Sequence, residues 1–105
     1  PGFNNTYWTW QHGRGYPAYA CLFYTNGTYS AYSYAEDDYH EADYSISGRR
    51  LKMDGARYIW NGECFVSSEM HTVNNSTDYI YLYPDTAKNY HDMEWIYQHK
   101  GIDGM

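Results

Sequence analysis

Turn signals recur along this chain at intervals too short for a long helix. Asn26-Gly27, Gly48, Asp54-Gly55, Asn61-Gly62, the polar run 74–78 and Pro84-Asp85 each close a short β-prone run. Asn and Gly tolerate the positive φ of tight hairpin turns, so the two Asn-Gly pairs read as type I′ hairpins. Between the signals lie strands expected at 19–24, 28–34, 43–47, 51–53, 57–60, 63–72 and 79–83. A strand at 7–10 precedes them, and one carrying Met93, Trp95 and Tyr97 follows. Alternation with a period of two, bounded by turn residues, identifies antiparallel strands rather than helices. Residues 12–17 and 86–91 read as loops, 36–41 as a hydrophilic break, and 1–5 and 101–105 as tails. With tight hairpins at nearly every connection, the expected fold is all-β: an up-and-down meander of about eight strands. Such a meander avoids exposed edges by closing, fully or partly, into a barrel.

At 105 residues the chain makes one domain. Aromatics are 21% of it and tyrosine alone occurs 15 times, so the core must draw on rings rather than on aliphatics. Tyrosine buries a large ring but carries a hydroxyl that needs a partner, and many tyrosines are therefore expected half-exposed. The formal net charge of −6 excludes a nucleic-acid partner, because phosphate binding needs a basic surface and the seven basic residues are scattered. No apolar run approaches the ~20 residues of a membrane-spanning helix.

Cys21 and Cys64 lack CxxC or zinc-site spacing. Each falls on the expected interior phase of its run (Tyr19-Cys21-Phe23 and Cys64-Val66-Ser68), so the pair reads as one disulfide in an exported protein, with two buried thiols as the alternative. The chain begins at Pro1, which suggests a removed leader or tag, or a trimmed chain. A secreted or cell-surface setting is the expectation. Asn-x-Ser/Thr sequons at Asn4, Asn26, Asn74 and Asn75 bear on it only in a eukaryotic source.

The run FYTNGTYSAYSY, followed by ADYSISGRRLKMDG, resembles the small bacterial lipocalin-like (calycin-type) domains. The resemblance rests on Asn26, Gly27, Thr28 and Tyr29, then Tyr44, Ile46, Gly48, Leu51 and Met53, about a third of the chain. Trp8 and Trp10 stand where the family has an early Gly-x-Trp, without the glycine, and Trp95-Ile96-Tyr97 fits its late aromatic strand. The resemblance implies a calycin-like barrel, whose members usually hold a small apolar ligand or have no known function.

Reactive constellations are weak. Asp37, Asp38, His40 and Glu41, with Glu36 and Asp43 beside them, form the densest set of potential hard-cation ligands, but without EF-hand spacing; a solvated acidic turn is the simpler reading. His12, His40, His71, His91 and His99 match no metal motif. Glu63, Glu69 and Glu94 lie on or near strands, where a carboxylate pair across a cleft hydrolyses glycosides. No cofactor motif is present.

The aromatics are the remaining signal, since Tyr and Trp form rigid amphipathic binding surfaces. Trp8, Trp10, Tyr44, Trp60 and Trp95 are expected in the core or lining a cavity. At least one of the sets Tyr29, Tyr32, Tyr34 and Tyr79, Tyr81, Tyr83 is expected on an exposed face. In 79–83 the aliphatics are the easier side chains to bury, so Ile80 and Leu82 should face the core with Ile96, and the three tyrosines outward as a binding ladder. The leading functional expectation is a non-enzymatic binding protein for a small or elongated ligand. The alternatives are an aromatic-surface module for glycans or proteins, including self-association, and a small barrel enzyme of cyclase or hydrolase type.

Overall fold

A computed structural model describes residues 6–13, 18–36 and 38–84. The strands are β1 (Thr6–His12), β2 (Tyr19–Phe23), β3 (Thr28–Ser33), β4 (Asp38–Ser47), β5 (Arg50–Met53), β6 (Ala56–Trp60), β7 (Phe65–Ser67), β8 (His71–Val73), β9 (Ser76–Asp78) and β10 (Ile80–Pro84). Eight of them close into an antiparallel barrel in the order β1-β10-β7-β6-β5-β4-β3-β2, and β8 with β9 forms a separate hairpin. Closure comes from β1, which pairs Thr6–Trp10 with β2 and Trp8–His12 with β10. The strand expected around Met93, Trp95 and Tyr97, and the expected tails, lie outside the described residues.

The barrel interior takes one phase of every strand. Trp8, Cys21, Phe23, Tyr29, Ala31, Leu51, Met53, Tyr58, Phe65, Ile80 and Leu82 make one buried cluster. Leu51, Ile80 and Leu82, at most 3% exposed, are its aliphatic members, while Ile59 and Val73 are exposed. Tyr81 and Tyr83 take the other phase of β10 and stack on each other, with centroids 6.2 Å apart and planes 18° apart. The expected facing of β10 holds for Ile80 and Leu82, while Ile96 lies outside the described residues. A second cluster lies on the opposite face of β2, where Ala20, Leu22 and Tyr24 are buried against Tyr7, Tyr32, Tyr34 and Tyr39. The outer face of this sector is thus apolar, not wet.

Local hydrogen bonding explains where the strands depart from expectation. The break expected at 36–41 is instead the turn at Glu36 followed by the start of β4, whose ten residues begin at Asp38. Pairing Ser33 with Asp38 carries the β3–β4 ladder through the acidic run, whose carboxylates stay in solvent. The run 63–72 is not one strand. The Asn61 side-chain oxygen accepts from the Glu63 and Cys64 amides (2.8 and 2.9 Å), holding the segment before Phe65 as a loop. The Ser67 hydroxyl donates to the Glu69 carbonyl (2.7 Å) and accepts from the Ile80 amide (2.9 Å), ending β7 and fastening it to β10. Phe65 and Ser67 are therefore the interior residues, not Val66 and Ser68. A one-residue change of phase exchanges the two faces of a strand.

The same loop decides the cysteines. Cys21 belongs to the interior cluster and Cys64 does not; Cys64 is buried in the 61–64 loop, its sulfur 3.8 Å from the Asn61 side-chain nitrogen. No disulfide joins them, and both are buried thiols. The expected bond assumed that Cys64 shared the interior phase, which Phe65 holds instead.

The turn types also differ from expectation. Positive φ at consecutive residues occurs at Asp54-Gly55 (50° and 83°) and at Asn74-Asn75 (50° and 67°). At Asn26-Gly27 only the glycine is left-handed (87°), and the Asn26 side-chain oxygen instead accepts from the Thr28 amide (3.1 Å) and hydroxyl (2.6 Å). This is a longer hairpin loop, bracketed by the bond from the Tyr24 amide to the Thr28 carbonyl (2.9 Å).

Candidate ligand-binding site

A cavity of about 240 Å³ opens toward the end of the barrel that carries the Asp54-Gly55 turn and the start of β10. Strand alternation supplies its walls. Trp10 comes from β1, Tyr19 and Cys21 from β2, Tyr29 and Ala31 from β3, and Met53, Ala56 and Tyr58 from around the β5–β6 turn, with Ile80 from β10. Its rim is polar: His40 and Asp54 are exposed and His71 is half-buried. His71 is held over the rim because the His12 imidazole, through Nε2, hydrogen-bonds its carbonyl oxygen at 2.6 Å.

The aromatic walls brace one another. Trp10 meets Tyr19 edge-on at 5.0 Å, and His40 stands edge-on to Tyr19 at 5.8 Å and to Tyr29 at 6.3 Å. Tyr29 stacks on Phe23 beneath it, with centroids 5.2 Å apart. The Trp10 indole N–H donates to the Tyr58 hydroxyl at 3.3 Å. Edge-to-face and offset pairs of this kind contribute roughly 0.5–1.5 kcal/mol each beyond buried area, so the wall is rigid without a ligand.

Both wall phenols resist ionisation. Burial pushes the Tyr29 phenol up from the ordinary tyrosine range, and Cys21 and then Asp54 add to it. Burial likewise raises Tyr58, with the Trp10 hydrogen bond working against it and Cys21 and Asp54 adding a smaller rise. The sign for stability follows. The unfolded chain ionises tyrosine near 10.0, where the native state still holds its protons, so unfolding free energy falls as pH rises past that value. The contribution is intact below about pH 10 and is lost as pH climbs through the higher folded values. Urea midpoints at about pH 9 and about pH 11 should therefore differ, and Tyr29→Phe should flatten the dependence. Equal midpoints in the parent protein would contradict this assignment.

Of the residues expected to bind, Trp10 and Tyr29 line the cavity. Trp8 and Trp60 pack instead on Phe65 at 5.7 and 5.1 Å, away from the cavity lining. Tyr44 lies edge-on to Phe23 at 4.9 Å and donates its hydroxyl to the Tyr24 carbonyl at 2.6 Å, a structural role. Tyr79 precedes β10 and is half-buried, Tyr81 and Tyr83 lie on the outer face, and Trp95 is outside the described residues. The structure adds Tyr19, Cys21, His40, Met53, Asp54, Tyr58 and His71 to the site. Tyr19 and Tyr58 were discoverable, each sharing an interior phase with Cys21 or Trp60. His71 was not, because it arrives on a hairpin outside the barrel meander.

The acidic candidates do not converge. His40 lines the cavity, whereas Asp38 and Glu41 stand exposed away from it. No group of three potential metal ligands occurs among the described residues, and Asp37 lies outside them. Asp54 is the one carboxylate in the cavity lining among the described residues. Glu63 and Glu69 are exposed and Glu94 lies outside the described residues, so no carboxylate pair flanks the cavity among those described. No described helix is long and apolar enough to cross a membrane. No protein-family model matches this chain, and comparison with curated proteins finds no match.

Proposed function

We propose that this protein is a non-enzymatic, lipocalin-like carrier whose small ligand occupies the aromatic cavity at the end of the barrel. One observation carries the reading: Trp10, braced by Tyr19 and Tyr58, lines with Tyr29 a cavity of about 240 Å³ beneath a polar rim. Apolar walls with a few convergent polar groups are the usual composition of a small-molecule site. A dry apolar cavity of ~150 Å³ accepts benzene, so a space of this size suits a bicyclic ligand. The secreted or cell-surface setting is part of the proposal and is tested by locating the tagged gene product.

Ala31 offers the direct test of the cavity, being 2% exposed and in its wall. Titration with naphthalene-sized neutral molecules should quench Trp10 fluorescence, and Ala31→Leu should weaken binding about tenfold or more by filling the space while the β circular dichroism persists. A parent protein that binds none of these, or an Ala31→Leu variant that binds as well as the parent, removes the reading. Response to glycans alone would favour the outer tyrosine face carrying Tyr81 and Tyr83.

A further inference from the structure

Two phenol hydroxyls, those of Tyr29 and Tyr58, belong to the cavity wall, and each has a proton to offer. Tyr29 is 3% exposed and lines the cavity, yet its hydroxyl has no hydrogen-bond partner among the described residues. Tyr58, 2% exposed, accepts a bond from the Trp10 indole, which leaves its own O–H proton without an acceptor among those residues. A ligand that covers these hydroxyls and leaves a donor unpaired pays about 1–3 kcal/mol for it. A ligand that displaces solvent from these hydroxyls must replace its hydrogen bonds or lose affinity.

We infer that the cavity selects a neutral, compact bicyclic or aromatic ligand bearing a carbonyl-type acceptor, held by the Tyr29 and Tyr58 hydroxyls. The inference rests on the carrier reading above and specifies the ligand's chemistry. Donation fits because the Tyr58 oxygen is already an acceptor, so the bond from Trp10 polarises its O–H toward the cavity. Neutrality fits because no Lys or Arg among the described residues lines the space, and Asp54 stands at its rim with His40 and His71. The surroundings that keep both phenols protonated also disfavour a carboxylate ligand.

Matched probes test this: indane, 1-indanone, and indane-2-carboxylate, measured by calorimetry against the full chain at neutral pH. The ketone should bind about tenfold tighter than indane, the value of one buried hydrogen bond, and tighter than the carboxylate. Tyr29→Phe removes a hydroxyl that bonds to none of the described residues, so it should leave the melting temperature level or raised while reducing the ketone preference. Tyr58→Phe should reduce it as well. Equal affinity for ketone and indane, a preference that survives both substitutions, or tighter binding of the carboxylate overturns the inference while leaving the carrier reading intact. Failure of all three probes to bind removes the carrier reading itself, and this inference with it.

Discussion

Phe23→Ala should destabilise the barrel by about 3–5 kcal/mol, in the range of large-to-small aromatic substitutions in a rigid core. Phe23 is fully buried, stacks on Tyr29 and receives the edge of Tyr44. Removal leaves a void that the ladders on either side prevent from collapsing, since β2 pairs with both β1 and β3. Phe23→Leu keeps most of the volume and should cost clearly less. The alanine variant also withdraws the ring beneath Tyr29, so the ketone preference should fall even where the protein remains folded. Equilibrium urea unfolding of both variants measures the difference, and an alanine variant as stable as the leucine variant would show that Phe23 does not anchor the core.

Leu82→Ala should cost about 2–5 kcal/mol. Leu82 is fully buried on the strand that closes the barrel, opposite Trp10 on one side and Phe65 on the other. A cavity there loosens the β1–β10 and β10–β7 seams together. Tyr81→Ser changes the neighbouring residue, which points outward and is half-buried, and its penalty should be smaller. The reverse order of stabilities would place the tyrosines in the core and the aliphatics outside it.

The extent of the fold that was readable from residues alone follows from the range of the forces involved. Turn chemistry is local, so the hairpins at 24–28 and 53–56 announce themselves through Asn, Asp and Gly, whereas the run 74–78, which reads as a polar loop, holds β9 and its turn. Alternation is also local, and it placed Trp8 and Trp10 together, Tyr19 with Cys21, and Ile80 with Leu82 on interior faces. Where a side chain captured backbone amides the local pattern misled. Asn61 turned the start of the run 63–72 into a loop, which shifted the interior phase from Cys64 to Phe65 and removed the basis of a disulfide. The acidic run 38–41 read as a loop because solvated carboxylates resemble turn residues, whereas only its pairing with β3 makes it a strand.

The chain's own residues thus determined an antiparallel, eight-stranded barrel, because turns and period-two alternation act over a few neighbours and leave few alternatives. The site was decided at the tertiary level. Tyr29 and Tyr58 lie far apart in the chain and share one cavity through barrel closure, and Trp10 reaches Tyr58 across forty-eight positions. His71 reaches the rim on a hairpin outside the meander, through a bond to His12. Such pairings depend on which strands become neighbours and in what register, and these are set by the whole buried interior rather than by any one stretch.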